Sequence, residues 1–330
     1  MAARLPLHTL ARVHGLDLEA VPARPARGRI LISYVPGSAG EDALVLGRLL
    51  CEATGAQPLV HSVIAHAGRK HGHTERAHRK RSERLADVAE AAGRLLSDLD
   101  PVCTASAGHS ARTELARLAL EQRPGVVVLG SSGAGRSGFG LSGIATSFLH
   151  EVPCAVAVAP AGYAERQSPR LLRIAVAFDG GDEARVALES AVELAARTRA
   201  RLSLIAAVNS TGGGLVGPFT AAGGGEGAGV VELQRGAMER VLRVGLQAVP
   251  DDMPVDSRLL LGPPAQIAEA AGEHDLLVLG SRGHGTVGRA LLGSLSARLI
   301  TDTSSPVLVL PRAAGDDPLG IRAESLPALV

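Results

Sequence analysis

The stretch LLVLGSRG, Leu276–Gly283, recurs in the same chain as VVVLGSSG, Val126–Gly133. Each copy is a short apolar run that stops at glycine and opens into a glycine-rich turn. An apolar run without alternation reads as a strand covered on both faces, the signature of a central strand in a parallel sheet. A glycine-rich turn directly after such a strand is a place where backbone amides can gather around an anion.

Working outward, the duplication extends over most of the chain. RILISYVPGSAGEDAL (Arg29–Leu44) aligns with RIAVAFDGGDEARVAL (Arg173–Leu188), and both copies close on a Pro-led apolar run, VPCAVAVAP (Val152–Pro160) and SPVLVLP (Ser305–Pro311). Repeats of more than about a hundred residues indicate duplicated domains, not a short-period solenoid. In the second copy the predicted strands are Ile174–Phe178, Leu202–Val208, Val255–Leu261, Leu276–Leu279 and Val307–Leu310. Between the first two, Ala184, Ala187, Leu188, Ala191, Leu194 and Ala195 recur at helical spacing, with Asp182 and Glu183 at the favourable N-terminal end. Helical patterns also fit Leu233–Leu246, Pro264–Glu273 and Ser294–Asp302. Alternating strands and helices predict an α/β fold: two tandem doubly wound parallel sheets with right-handed crossovers. The expected division is an N-terminal extension at 1–28, a first domain at 29–160, a linker at 161–170, a second domain at 171–312 and a tail at 313–330. Ser210–Gly229 reads as a long glycine-rich insertion, either a functional lid or a disordered loop.

Composition narrows the function classes. Aromatic residues are 2% of the chain and Trp is absent, so the core must be built from Ala, Val, Leu and Ile. A net charge of +1 gives no electrostatic case for nucleic acid or an anionic membrane. Three widely separated cysteines, Cys51, Cys103 and Cys154, suggest buried thiols in a reducing, cytoplasmic compartment. The N-terminus lacks the continuous apolar region of a signal peptide, and no run approaches the length of a membrane span. A soluble protein is expected.

The second copy's turn has chemistry to spare. Gly280, Gly283 and Gly293 are followed by Ser294 in a Gly-x2-Gly-x9-Gly-Ser spacing, and Ser294 opens the next helical pattern. A helix N-terminus offers free amides, a serine there adds a hydroxyl, and Arg282, His284 or Arg289 could add charge-assisted contacts to phosphate. In a doubly wound sheet such a turn lies at the carboxyl ends of the strands, where ligands bind. The alternative is that the glycines serve only tight turns.

The glycine spacing after an apolar strand, the terminal PVLVL strand, FDGGDEARVALESAVELA after the first strand and GPPAQIAEAA (Gly262–Ala271) together resemble the universal stress protein family. That resemblance covers nearly the whole chain as two tandem modules. It implies a Rossmann-like strand order of 3-2-1-4-5 in each five-stranded sheet, an adenine-nucleotide site, and association through the last strand. Carried over, Asp179 would hold the ribose or adenine, the backbone of Ala207 and Val208 would meet the adenine, and Gly280, Gly283, Gly293 and Ser294 would hold ribose and phosphates. Asp179 reads equally well as a helix N-cap. The implied ligand is ATP, with ADP, AMP and cyclic AMP left open and Mg2+ able to accompany ATP. The implied partnership is an intrachain pseudo-dimer of the two modules, with a homodimer left open.

The first copy departs at the residues that matter. Val35 and Pro36 stand where the second copy has Asp179 and Gly180, and Ile144 stands where it has Ser294 after the retained Gly130, Gly133 and Gly143. Neither Val35 nor Ile144 can bond a nucleotide, so the first copy is expected to be a structural partner. It also carries His61, His66, His71, His73 and His78. These read either as a metal site or as a solvated cationic loop leading into a helix, and no spaced carboxylate or cysteine completes a site. No P-loop, nucleophile elbow or HExxH motif is present. The expected function is that of a stress-response regulatory module that binds ATP, and not an enzyme. An interaction scaffold and an ATP-using adenylating enzyme on a related fold are the alternatives.

Overall fold

In a computed structural model of the chain, the structure describes residues 28–65, 74–108, 110–131, 152, 154–166, 170–208, 227–263, 265–281, 294–311 and 319. The chain divides into two compact units, Met1–Gln167 with Gly315–Val330, and Ser168–Ala314.

Unit 1 runs β1 (Arg29–Ser33), α1 (Ser38–Thr54), β2 (Gln57–Ala65), α2 (Thr74–Leu96), a 3-10 turn (Ser97–Leu99), β3 (Val102–Gly108), α3 (Ala111–Gln122), β4 (Val126–Gly130) and β5 (Ala155–Ala159). Every pairing is parallel, and the strand order is β3-β2-β1-β4-β5. Leu31 faces Leu59 on one side and Val127 on the other, and β1, β4 and β5 are buried almost throughout. Small residues set the spacing of the layers. A Cβ placed on Gly47 of α1 would run into the Ile32 side chain, so the helix lies directly on the central strand. The helix stops at Gly55, whose φ of 74° is left-handed and whose N–H returns to the Cys51 carbonyl. Beyond β5, a 3-10 turn at Tyr163–Glu165 is held against α1, and Tyr163 is buried.

Unit 2 repeats the plan as β6 (Arg173–Ala177), α4 (Asp182–Thr198), β7 (Arg201–Val208), α5 (Gly227–Gln247), β8 (Val255–Leu261), α6 (Ala265–Ala271), β9 (Leu276–Gly280), α7 (Ser294–Asp302) and β10 (Val307–Leu310). Its order is β8-β7-β6-β9-β10, again all parallel. The expected 3-2-1-4-5 sheet is therefore present, and right-handed crossovers place α4 and α5 on one face and α6 and α7 on the other. Strand positions agree with the sequence pattern to within a residue or two. The larger difference is α5, which starts at Gly227 and so takes in the last residues of the segment read as an insertion. Once a helix is nucleated, each added residue contributes a hydrogen bond for one more fixed backbone unit, so a helix can extend past its packed face.

Among the described residues the three cysteines are free thiols, Cys51 and Cys154 buried and Cys103 half-buried. Burial pushes all three thiols up, Cys103 and Cys154 to about 12, which keeps them in the unreactive protonated form at neutral pH. No described helix is long and apolar enough to cross a membrane.

Candidate functional site

In unit 2 the chain order reverses between β6 and β9. β6 leads through α4 toward β7, while β9 leads through α7 toward β10 in the opposite direction. The two strands remain paired through Val176 and Val278, and beyond that point their connections part at the carboxyl ends. A crevice at such a switch point is where open α/β sheets bind ligands.

Asp179 lies two residues past the end of β6, on the lip of that crevice. Its Oδ1 accepts a hydrogen bond from the Gly181 amide at 3.0 Å, forming a local Asx turn. The N-cap of α4 is Gly181, with no side-chain cap, so the alternative role of Asp179 as N-cap is not the one observed. Gly180 supplies the turn, at φ 80°, and a Cβ there would come within 2.7 Å of Val241 on α5. Asp182 and Glu183 occupy the first turn of α4.

Gly280 ends β9, as expected, but its immediate reason for being glycine is packing. A Cβ on it would stand 2.5 Å from the carbonyl carbon of Glu183, in the first turn of α4. The helix therefore seats on the strand end at backbone distance. Ala207 and Val208 close β7, as expected, and the Val208 carbonyl accepts the Gly262 amide at 2.9 Å. Ser294 is the first residue of α7, and nothing further is described of its side chain. Arg282, Gly283, His284, Arg289 and Gly293 lie outside the described residues.

Sequence reasoning passed over Ser281. Its amide donates to the Leu310 carbonyl at 2.8 Å, its side chain is 0% exposed, and its hydroxyl has no hydrogen-bond partner among the described residues. Val176–Val278 is the last pair between β6 and β9, and Asp179 and Ser281 each follow it by three residues along their own chains. A buried hydroxyl without a partner is costly, and native structures carry few of them. Serine is so common in turns that its place in GSRG carries no signal of this in the sequence.

The universal stress protein family profile matches residues 171–311. A universal stress protein of Thermus aquaticus, from the region 3' of a QAH/OAS sulfhydrylase, is 35% identical over 140 residues, which is 42% of this chain and 96% of the relative. The chain belongs to the universal stress protein family. Among solved structures, a universal stress protein from Archaeoglobus fulgidus DSM 4304 is 18% identical with a TM-score of 0.56, covering 86% of this chain and 96% of its own. A functionally unknown protein from Pseudomonas aeruginosa PAO1 is 16% identical with a TM-score of 0.55, covering 87% of this chain and 93% of its own. At these identities the two structures show the shared fold.

Within this universal stress protein, unit 1 keeps the packing device of the second copy and changes its chemistry. Gly130 ends β4, and a Cβ on it would stand 2.6 Å from the Ala39 carbonyl carbon in the first turn of α1, the counterpart of the Gly280–Glu183 contact. Val35, in place of Asp179, turns an apolar side chain to solvent at 55% exposure. Pro36 cannot take the left-handed φ that Gly180 uses, and the positive φ moves one residue on to Gly37, at 113°. Ile144 and the turn before it lie outside the described residues.

The histidine run is divided by the fold. His61 does not belong to a solvated loop: it lies within β2 at 1% exposure, with Nδ1 2.7 Å from Thr104 Oγ1 and Nε2 3.0 Å from Ser106 Oγ, both on β3. Burial, then the positive charges of Arg117 and Arg81, lower its pKa to about 4. The loop reading failed because a polar residue inside a strand looks the same in sequence as one in a loop; cross-strand hydroxyls at Thr104 and Ser106 make its burial tolerable. His66, His71 and His73 lie outside the described residues, and His78 falls on α2. Among the described residues no cluster of His, Cys, Asp and Glu is placed to hold a metal ion.

Proposed function

We propose that unit 2 binds an adenine nucleotide, ATP in the first instance, in the crevice between β6 and β9, and that the protein acts as a nucleotide-dependent signalling module in stress response. The observation that carries this reading is that the same switch point has Asp179 just past the end of β6 and, just past the end of β9, the buried Ser281 hydroxyl, which has no partner among the described residues. One is an anionic acceptor suited to ribose hydroxyls, the other a donor with no partner among the described residues. The glycine-rich turn that follows, and Ser294 at the start of α7, would take the phosphates. Mg2+ would arrive coordinated to those phosphates, since the described residues offer it no cluster of their own. Regulated binding, not turnover, is the proposed activity.

The test is calorimetric titration of the purified protein with ATP, ADP, AMP and cyclic AMP, together with analysis of any co-purified nucleotide. The wild type should bind, and Gly283→Val with Ser294→Ala should abolish binding. A wild type without measurable affinity for any of the four would overturn the proposal. That result would favour the interaction scaffold, for which the packing role of Gly280 is the supporting observation.

A further inference from the structure

Strand β8 is the outer strand of the unit 2 sheet and pairs with β7 on one side. The Leu202 amide donates to the Pro254 carbonyl at 3.0 Å, and the Gly262 amide donates to the Val208 carbonyl at 2.9 Å. Along a parallel strand, residues alternate between bonding one neighbour and facing the other way. Residues 254, 256, 258, 260 and 262 therefore bond β7, and the N–H and C=O groups of Val255, Ser257 and Leu259 face outward. Among the described residues no hydrogen bond reaches those outward groups.

Unit 1 treats its corresponding edge differently. His61 and Ile205 hold matching places, accepting the amides of Tyr34 and Phe178, and they pair with Thr104 and Arg258. Ala105 on β3 thus corresponds to Leu259, and its carbonyl accepts Arg81 Nε from α2 at 3.1 Å. A charged side chain covering the edge is a common guard against strand addition, and β8 has no such guard among the described residues. Asp256, Ser257 and Arg258 are consecutive and all exposed, so both faces of β8 are open at the same point.

We infer that β8 is a homodimer edge, to which β8 of a second copy of this chain adds antiparallel about Ser257. The side chains select that occupant and that register. With Ser257 on the two-fold axis, each Asp256 stands opposite the partner's Arg258 on one face, and each Val255 opposite the partner's Leu259 on the other. The outward groups of Val255, Ser257 and Leu259 then meet one another as hydrogen-bonded pairs. The two neighbouring registers set Asp256 against Asp256 or Arg258 against Arg258, which is repulsive. Within the chain Asp256 has Arg201 at 3.9 Å and Arg258 has Glu273 at 2.9 Å. The added strand joins these into a line of alternating charge: Arg201, Asp256, the partner's Arg258, the partner's Glu273. A strand of 7 residues gives a small interface, hence a weak, concentration-dependent dimer. Association through the last strand would instead use β10, at the opposite end of the unit 2 sheet.

The experiment uses the full chain in sedimentation velocity from about 1 to about 200 µM, the range suited to a small interface. The wild type should pass from monomer to dimer. Ser257→Pro removes an outward amide that β7 does not use, so it should abolish the dimer and leave circular dichroism native. Arg258→Asp, at an exposed position, should weaken association by at least about tenfold, because it sets carboxylates opposite each other, and Asp256→Arg should do the same with guanidinium groups. An equimolar mixture of those two variants restores both ion pairs and should recover the dimer. Should the proline or the Asp256 variant fail to fold, Arg258→Asp alone decides. A wild type that stays monomeric, a dimer unchanged in Arg258→Asp or in natively folded Ser257→Pro, or a mixture of natively folded variants that fails to associate overturns the inference.

Discussion

Gly280 and Glu183 touch at backbone distance: the end of β9 receives the first turn of α4 with no room for a side chain between them. Gly130 and Ala39 repeat the contact in unit 1. Because the obstacle is backbone, it cannot rotate away. Gly280→Ala should therefore lower stability by about 1–3 kcal/mol, the ordinary cost of overpacking. Urea titration followed by circular dichroism measures this, and an Ala variant as stable as wild type would show that the strand end shifts freely.

His61 makes unit 1 acid-sensitive. Its ordinary value is 6.5 and its folded value about 4, so between those pH values the unfolded chain binds a proton that the folded chain refuses. The neutral imidazole's contribution is fully present above about pH 6.5 and is lost as pH falls toward about 4. The drop amounts to about 3 kcal/mol at about 1.36 kcal/mol per unit. His61→Ile places there the residue that unit 2 has at the matching position, Ile205, and should flatten that part of the profile. His274 in unit 2, its pKa also lowered chiefly by burial, adds a fall of the same sign. The readout is therefore the difference between wild type and variant at pH 7.5 and pH 5.

Asp42 clasps the segment that leaves unit 1. Buried on α1, its carboxylate accepts the Gly162 amide at 3.0 Å and the Ala164 amide at 2.7 Å, holding the turn that carries Tyr163. Asp42→Ala leaves two amides without their acceptor, at a cost of about 2–4 kcal/mol. Asp42→Asn, which keeps one good acceptor, should lose roughly half of that. Limited proteolysis should cut near Gly162 sooner in the Ala variant. Equal cleavage rates would mean that the turn is held by Tyr163 packing alone.

Asp179 separates turn from charge. Asp179→Asn preserves an oxygen for the Gly181 amide and should leave stability within about 0.5 kcal/mol of wild type. If the carboxylate serves a nucleotide, the same substitution should still weaken ATP binding by about tenfold, as expected for loss of a charged hydrogen bond. Unchanged affinity would restrict Asp179 to its turn.

The sheet and its repeat were legible because burial on both faces leaves unbroken apolar runs such as Leu276–Leu279 and Val126–Leu129, and because the second copy checks the first. The glycine-rich turn was legible as a motif. What Gly280 does there was not, because its reason is a helix turn 97 positions earlier in the chain, at Glu183. Ser281 was missed for the same cause: whether a hydroxyl has a partner depends on everything folded around it.

By itself, then, the sequence determined the two α/β modules, their strand order through family resemblance, and the loss of Asp179 chemistry at Val35. Those properties are local, written in side-chain type and period. Only the tertiary structure decided that His61 is an interior residue bonded to Thr104 and Ser106, and that Asp179 braces a turn instead of capping α4. Each of these depends on how the chain folds around the residue, and burial and pairing are relations between groups that neither group's own sequence records alone.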